Sequence, residues 1–257
     1  MKPTRTGRTV ADIDPARRAA LDAGTIEAAT LTECLAVDFG ALMRAAIPRL
    51  DMSAFEAMDR ANGLGISKRM ALAGELLRGG LAAEAASELR HHTSDTVRGW
   101  AGFLVGQAPD MALPDRLAAI RPFADDPHFG VREWAWMAVR PHLATELDRA
   151  IALLAAWTFE PSERLRRFAS EATRPRGVWC AHIDELKREP EGALAILAPL
   201  RADPSPYVQD SVGNWLNDAA KTRPDWVRAL CRDWRERSPV PATARICKRA
   251  LRSIGAA

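Results

Sequence analysis

A turn of one composition, followed by a branched apolar residue and then a polar one, recurs along this chain, and that period restricts its fold more than any other feature. The copies are Ser94-Asp95-Thr96-Val97-Arg98, Asp126-Pro127-His128-Phe129-Gly130-Val131-Arg132, Glu160-Pro161-Ser162-Glu163-Arg164-Leu165-Arg166 and Asp203-Pro204-Ser205-Pro206-Tyr207-Val208-Gln209. Their anchors, Val97, Val131, Leu165 and Val208, lie 34, 34 and 43 residues apart, and a weaker fifth copy starts at Ala244-Arg245. Two helices with short connections fill such a length. Units of that size cannot bury their apolar faces alone, so they stack side by side. The expected fold is all-α: a HEAT-like or ARM-like helical repeat solenoid whose second helices line a concave face.

Local chemistry agrees with this. Ala, Leu, Arg and Glu dominate, apolar residues recur three and four apart, and Pro and Gly interrupt them at short intervals, which predicts helices of roughly 10 to 16 residues. An acid or a Ser/Thr before each start caps the unsatisfied N–H groups, and Pro127, Pro161 and Pro204 are expected in first turns, where a missing N–H costs nothing. Before residue 90 the repeat is fainter, with helices expected near 14–23, 27–46, 53–63, 66–78 and 81–92. The whole chain, 1–257, reads as one repeat domain, with 1–90 its N-terminal helices and 91–257 the clear repeats.

Composition narrows the function classes. The longest apolar stretch, Ile151 to Phe159, is about half of the roughly 20 residues a membrane-spanning helix needs, and Met1 to Val10 lacks the apolar core of a signal peptide. A cytoplasmic protein without a membrane partner is expected. The four cysteines, Cys34, Cys180, Cys231 and Cys247, are far apart and form no Cys/His cluster at ligand spacing, so neither a disulfide framework nor a metal or other cofactor is expected. The formal charge is only +3, but Lys221 to Arg252 holds ten Lys/Arg against Asp225, Asp233 and Glu236. That segment leans toward polyanions or forms a solvated basic surface.

Counting from each anchor as zero, positions 0, +4 and +7 are apolar and form a packing stripe, while +2, +6 and +9 share another face. That second face carries Gly99, Phe103 and Gly106; then Glu133, Met137 and Arg140; then Arg167, Glu171 and Arg174; then Asp210, Asn214 and Asn217. Spacing alone leaves Glu133 and Glu171 as partners of neighbouring arginines or as site carboxylates. Trp100, Trp157, Trp215, Trp226 and Trp234 read as packing residues. After the third inner helix, Arg174-Pro175-Arg176-Gly177-Val178-Trp179 breaks the helix and places guanidinium groups and an indole at its end, suited to phosphate and to an exposed base or sugar.

Phe168-Ala169-Ser170-Glu171-Ala172-Thr173-Arg174-Pro175-Arg176, with Trp179 after it and Val131-Arg132-Glu133-Trp134-Ala135-Trp136 before it, resembles the AlkC branch of the AlkC/AlkD family of DNA alkylation-repair glycosylases. Ser211-Val212-Gly213-Asn214-Trp215-Leu216-Asn217-Asp218 through Lys221 and Pro224 is similar to that branch's S-V-x-N-x-L-N-D-x-x-K-x-x-P segment. The resemblance covers about residues 90–238. It implies a helical repeat enzyme that removes cationic N-alkylated bases from double-stranded DNA without flipping them: 3-methylcytosine and 1-methyladenine, or 3-methyladenine and 7-methylguanine. Glu133, Glu171 and Trp179 are then the catalytic candidates. Arg98, Arg132, Trp134, Trp136, Arg140, Arg166, Arg174, Arg176, Asn214 and Asn217 are the DNA-binding candidates, and the protein is expected to act as a monomer. Some relatives add a C-terminal immunoglobulin-like domain, whereas this chain ends soon after its helices. Two other readings stay open: a non-catalytic repeat scaffold that binds DNA or protein, and a glycosylase for bulky adducts.

Overall fold

The computed structural model describes residues 9–81 and 85–255. Among them are sixteen α-helices and no strand: α1 (Pro15–Asp22), α2 (Leu31–Ala36), α3 (Phe39–Ala46), α4 (Met52–Arg60), α5 (Ile66–Gly80), α6 (Ala85–Leu89), α7 (Asp95–Gly106), α8 (Leu113–Ala124), α9 (Phe129–Thr145), α10 (Leu147–Ala155), α11 (Glu163–Ala172), α12 (Asp184–Arg188), α13 (Leu194–Leu197), α14 (Pro206–Ala220), α15 (Pro224–Arg237) and α16 (Pro241–Ala250). The all-α repeat fold is therefore present. The helix expected over 27–46 divides at Val37-Asp38, because the Asp38 side chain accepts from the Ala41 N–H at 3.0 Å and caps a new start. The one expected over 81–92 falls partly on residues 82–84, outside the described residues.

All four anchors sit on helices and are buried, together with the rest of their stripes: Ala135 and Ala138, Ala169 and Ala172, Val212 and Trp215. Serine hydroxyls cap three of these helices. Ser94 accepts from the Val97 N–H, Ser162 from Arg164 and Ser205 from Tyr207. At the start of α9 the Asp126 carboxylate accepts from the His128 N–H, and His128 Nδ1 accepts from Gly130. Pro127, Pro161 and Pro204 do not lie in first turns as expected. Each of the three helices that follow them begins two residues later, and among them only α14 has a proline, Pro206, at its first position.

The helices gather into two compact units: Met1–Met111 with Asp126–Val139, and Ala112–Asp125 with Arg140–Ala257. In the first, α5 and α6 pack on α7, and α3 packs on α1 and α4. Helix α7 also meets α9 closely through two glycines. A Cβ on Gly99 would stand 2.6 Å from Trp134 Cδ1, and one on Gly106 would stand 2.5 Å from the Ala138 carbonyl oxygen. Only a residue without a side chain lets the two backbones approach this far.

In the second unit the inner helices follow the repeat order, α11 against α14 and α14 against α16, with α8 on α11 and α15 across α14 and α16. Trp215 on α14 donates its indole N–H to the Thr173 carbonyl at 3.0 Å, fixing α14 to the end of α11. Of the other tryptophans read as packing residues, Trp100, Trp157 and Trp234 are buried and Trp226 is half-buried.

Candidate active site

The arginine that follows each of the first three anchors turns back onto its own turn, and Gln209 after the fourth donates to the Asp203 carbonyl in the same way. Arg98 donates through Nη1 to the His92 and Thr93 carbonyls, and through Nε and Nη2 to both oxygens of Asp126. Glu27 also accepts from it at 2.5 Å. Arg166 repeats the geometry, with Nη1 on the Glu160 and Pro161 carbonyls and a bidentate pair to Asp203. Arg132 reaches the Asp126 and Pro127 carbonyls. In Arg98 and Arg166 the guanidinium thus ties one turn to the acid of the next. The side chains of Arg98 and Arg166 expose only 8% and 14%, so most of each guanidinium is engaged within the protein. Arg132 is half-buried.

On α9, in the first unit, Glu133 is half-buried and its Oε2 accepts the Trp136 indole N–H at 2.9 Å. The same bond holds a carboxylate and an indole one helical turn apart. Trp134 is 2% exposed and lies on Gly99, and Trp136 is 3% exposed. Both indoles are enclosed by helix packing, Trp134 because the glycines of α7 admit it into the interface.

In the second unit the strongest electrostatic cluster centres on Glu171, near the end of α11 and 3% exposed. Its Oε1 accepts from Arg174 Nη1 at 2.7 Å, its Oε2 accepts from Ser211 Oγ at 2.6 Å, and Arg167 Nη2 stands 3.5 Å from Oε2. Burial by itself pushes this carboxyl upward, but Arg167, Arg174 and the Ser211 hydroxyl outweigh it and hold the group below the ordinary carboxylate range. Arg174 then donates through Nε and Nη2 to Asp218 on α14, at 2.9 and 2.7 Å. Lys221 completes the row at 3.2 Å from Asp218. Ser211 and Asp218, which hold Glu171 and Arg174, are cluster members that helix-face spacing does not single out, although both lie in the Ser211–Pro224 segment.

Beyond α11 the chain enters the loop that carries Trp179. The indole is 44% exposed and its backbone has φ +61°, the left-handed region where a side chain is disfavoured. Val178 beside it is also exposed. Arg176 is half-buried, with Nε on the Asp218 carbonyl at 3.3 Å. Arg140 is 2% exposed and donates to the carbonyls of Ala172, Arg174 and Ala181, so its guanidinium is engaged inside the protein. Asn217 is buried and donates to the Ala250 carbonyl and to Ser253 Oγ, while half-buried Asn214 accepts from Arg249 and Arg252. Both asparagines therefore tie α14 to the C-terminal helix. The structure joins Glu171 and Arg174 in one cluster and places Glu133 in the other unit. No group of three or more His, Cys, Asp or Glu among the described residues could hold a metal, and no described helix is long and apolar enough to cross a membrane.

Comparison with known proteins bears on what such a cluster does. Residues 131–239 match the DNA alkylation repair enzyme family. The uncharacterized protein YhaZ of Bacillus subtilis is 42% identical over 117 residues, which are 46% of this chain and 32% of YhaZ. The alkylpurine DNA glycosylase AlkC of Pseudomonas fluorescens, solved bound to DNA containing an abasic-site analog, superposes with a TM-score of 0.67 at 28% identity, over 84% of this chain and 60% of AlkC. AlkD2 of Streptococcus mutans superposes with a TM-score of 0.57 at 20% identity, over 83% of this chain and 96% of AlkD2, a likeness of fold. The chain thus spans less than two thirds of the length of YhaZ and of AlkC. Residues 131–239, which include the Glu171 cluster, resemble the DNA alkylation repair enzyme family, and the described helices are similar in structure to those of AlkC.

Proposed function

We propose that the chain is a DNA glycosylase of base excision repair, which hydrolyses the N-glycosidic bond of cationic N-alkylated bases in duplex DNA without flipping them out. The observation that carries this reading is the buried Glu171 carboxylate, held ionised by Arg174 and Ser211, on a helix that runs into the loop bearing exposed Trp179. An alkylated base that is already positively charged leaves without a strong acid. The bond from C1′ to the base nitrogen breaks, its electron pair neutralises the departing base, and water adds to C1′ and releases a proton. An ionised carboxylate stabilises the cationic sugar along this path, and its fixed dipoles need no rearrangement as charge develops. An indole face attracts a cationic base. Glu133 is the second candidate carboxylate, oriented by Trp136. The partly exposed Arg132 and Arg176 are candidates for phosphate contact.

The test is release of a methylated base, detected by mass, from duplexes carrying 3-methylcytosine, 1-methyladenine, 3-methyladenine, 7-methylguanine or a bulky adduct. Release of one of the small lesions supports the proposal, and release only of the bulky adduct redirects it. The second reading, a non-catalytic repeat scaffold, is favoured by the small exposure of Glu171, whose two oxygens already accept from Arg174 and Ser211. It predicts DNA binding with no release from any lesion.

A further inference from the structure

We infer that Arg140 is a positioning residue for Trp179: its buried guanidinium sets the loop after α11 from behind and so fixes where the indole stands. Three of its N–H groups are spent on that loop and its root. Nη1 donates to Ala172 at 2.8 Å, in the last turn of α11; Nη2 donates to Arg174 at 2.6 Å; and Nε donates to Ala181 at 3.1 Å, two residues past Trp179. The loop is thus held on both sides of the indole by one planar fork. A planar group with donors at fixed angles imposes a geometry that a flexible ammonium does not. The carbonyls it satisfies include one at the negative end of α11, where a cation is favoured.

Two further observations fit the same role. Gly177 passes so close that an added Cβ would stand 3.3 Å from Arg140 Cζ and would overlap Cys180 Sγ. The loop therefore lies directly against the guanidinium. Trp179 also holds φ +61° with an exposed side chain. A side-chain-bearing residue keeps such a backbone only when its surroundings enforce it, and the bonds to Arg174 and Ala181 supply that enforcement. The Ile183 N–H donating to the Pro175 carbonyl at 3.1 Å closes the loop across its base.

The catalytic consequence rests on the glycosylase reading, whereas the positioning itself does not, so the experiment has two arms. In the first, the full chain is labelled with 5-fluorotryptophan and the Trp179 resonance is assigned from Trp179→Phe. Arg140→Gln is expected to shift or broaden that resonance while the other seven tryptophans keep theirs. Gly177→Ala, which crowds the loop against Cys180 Sγ and the guanidinium while keeping every donor of Arg140, is expected to do the same, and it keeps the test alive if Arg140→Gln does not fold. In the second arm, single-turnover base release falls at least tenfold in both variants, while DNA affinity stays within about twofold and the slope of log Kd against log salt is unchanged. An unmoved Trp179 resonance in folded Arg140→Gln, or in Gly177→Ala where Arg140→Gln does not fold, overturns the inference. So does a loss of affinity in Arg140→Gln with a salt slope lower by about one, the mark of a lost phosphate contact. Because the resonance is read without DNA, absence of release by the unaltered protein removes the glycosylase reading and leaves Arg140 to be judged on the resonance alone.

Discussion

Ser211 on α14 donates its hydroxyl to Glu171 on α11 at 2.6 Å, and the Ser170 hydroxyl lies 2.8 Å behind it. A carboxylate taken out of water costs several kcal/mol unless its lone pairs find donors, so the contact between two repeats also stabilises the charge. Ser211→Ala removes one of those donors. Hydrogen bonds to charged groups contribute about 1.5–3 kcal/mol, and a loss of that size is expected in denaturant unfolding. A change below about 0.5 kcal/mol would mean that water replaces the hydroxyl and that the pair is not closed to solvent.

Replacing Glu171 with Gln keeps the shape and removes the charge. Arg174 retains Asp218, at 2.7 and 2.9 Å, so the fold is expected to survive. Base release is expected to fall by about 100-fold or more, the usual loss when a preorganised electrostatic group is removed. Affinity for undamaged duplex DNA should stay within about twofold, because an anionic carboxylate makes no favourable contact with phosphate and undamaged DNA carries no cationic base or sugar. Release at the unaltered rate in this variant would place the chemistry elsewhere, with Glu133 the next residue to test.

The charge state of Glu171 sets a pH signature. Burial raises its pKa, but Arg167, Arg174 and Ser211 lower it further, and the net value lies below the ordinary range. A carboxylate depressed in the folded state contributes stability that is fully present above its unfolded value of about 4.3 and is lost as pH falls through the lower folded value. Base release is therefore expected to show no acid limb from Glu171 between pH 8 and 5. The stability difference between the unaltered protein and Glu171→Gln should shrink only below about pH 4.3. A limb near pH 6 that moves in Ser211→Ala would show that the carboxyl is instead raised and acts as a base.

What could be read from the sequence follows the range of the interactions. Helix starts and packing stripes depend on neighbours within a turn, so Ser94, Ser162, Ser205 and the buried anchors were visible in the spacing. Glu171 and Trp179 were visible through resemblance. The partners that fix Glu171 were not, because Ser211 lies 40 residues away and Asp218 reaches it through Arg174, 44 residues apart. Only the register of α11 against α14 brings them together. Trp134 shows the converse: its helix position is correct, but whether that face is open depends on glycines one repeat earlier, at Gly99 and Gly106. Periodicity identifies a face and does not say what covers it.

The arginines after the anchors allow the sharpest separation of structural from DNA-binding charge. Arg166 pairs with both oxygens of Asp203 and caps the Glu160 and Pro161 carbonyls, with side-chain exposures of 14% and 4% across the pair. Removing one partner of so enclosed a pair leaves a buried charge and typically costs about 3–5 kcal/mol. Arg166→Ala should therefore destabilise the fold by roughly 2–4 kcal/mol, somewhat less because water reaches part of the guanidinium. Its effect on the salt dependence of DNA binding should be negligible. Arg176→Ala should do the opposite: a half-buried side chain with one long bond to a carbonyl costs about 0.5 kcal/mol or less to remove, while the salt slope falls by about one if the group meets a phosphate. Thermal unfolding and salt-titrated DNA binding on both variants check the pair of expectations. A salt slope that falls in Arg166→Ala and holds in Arg176→Ala would reverse the assignment.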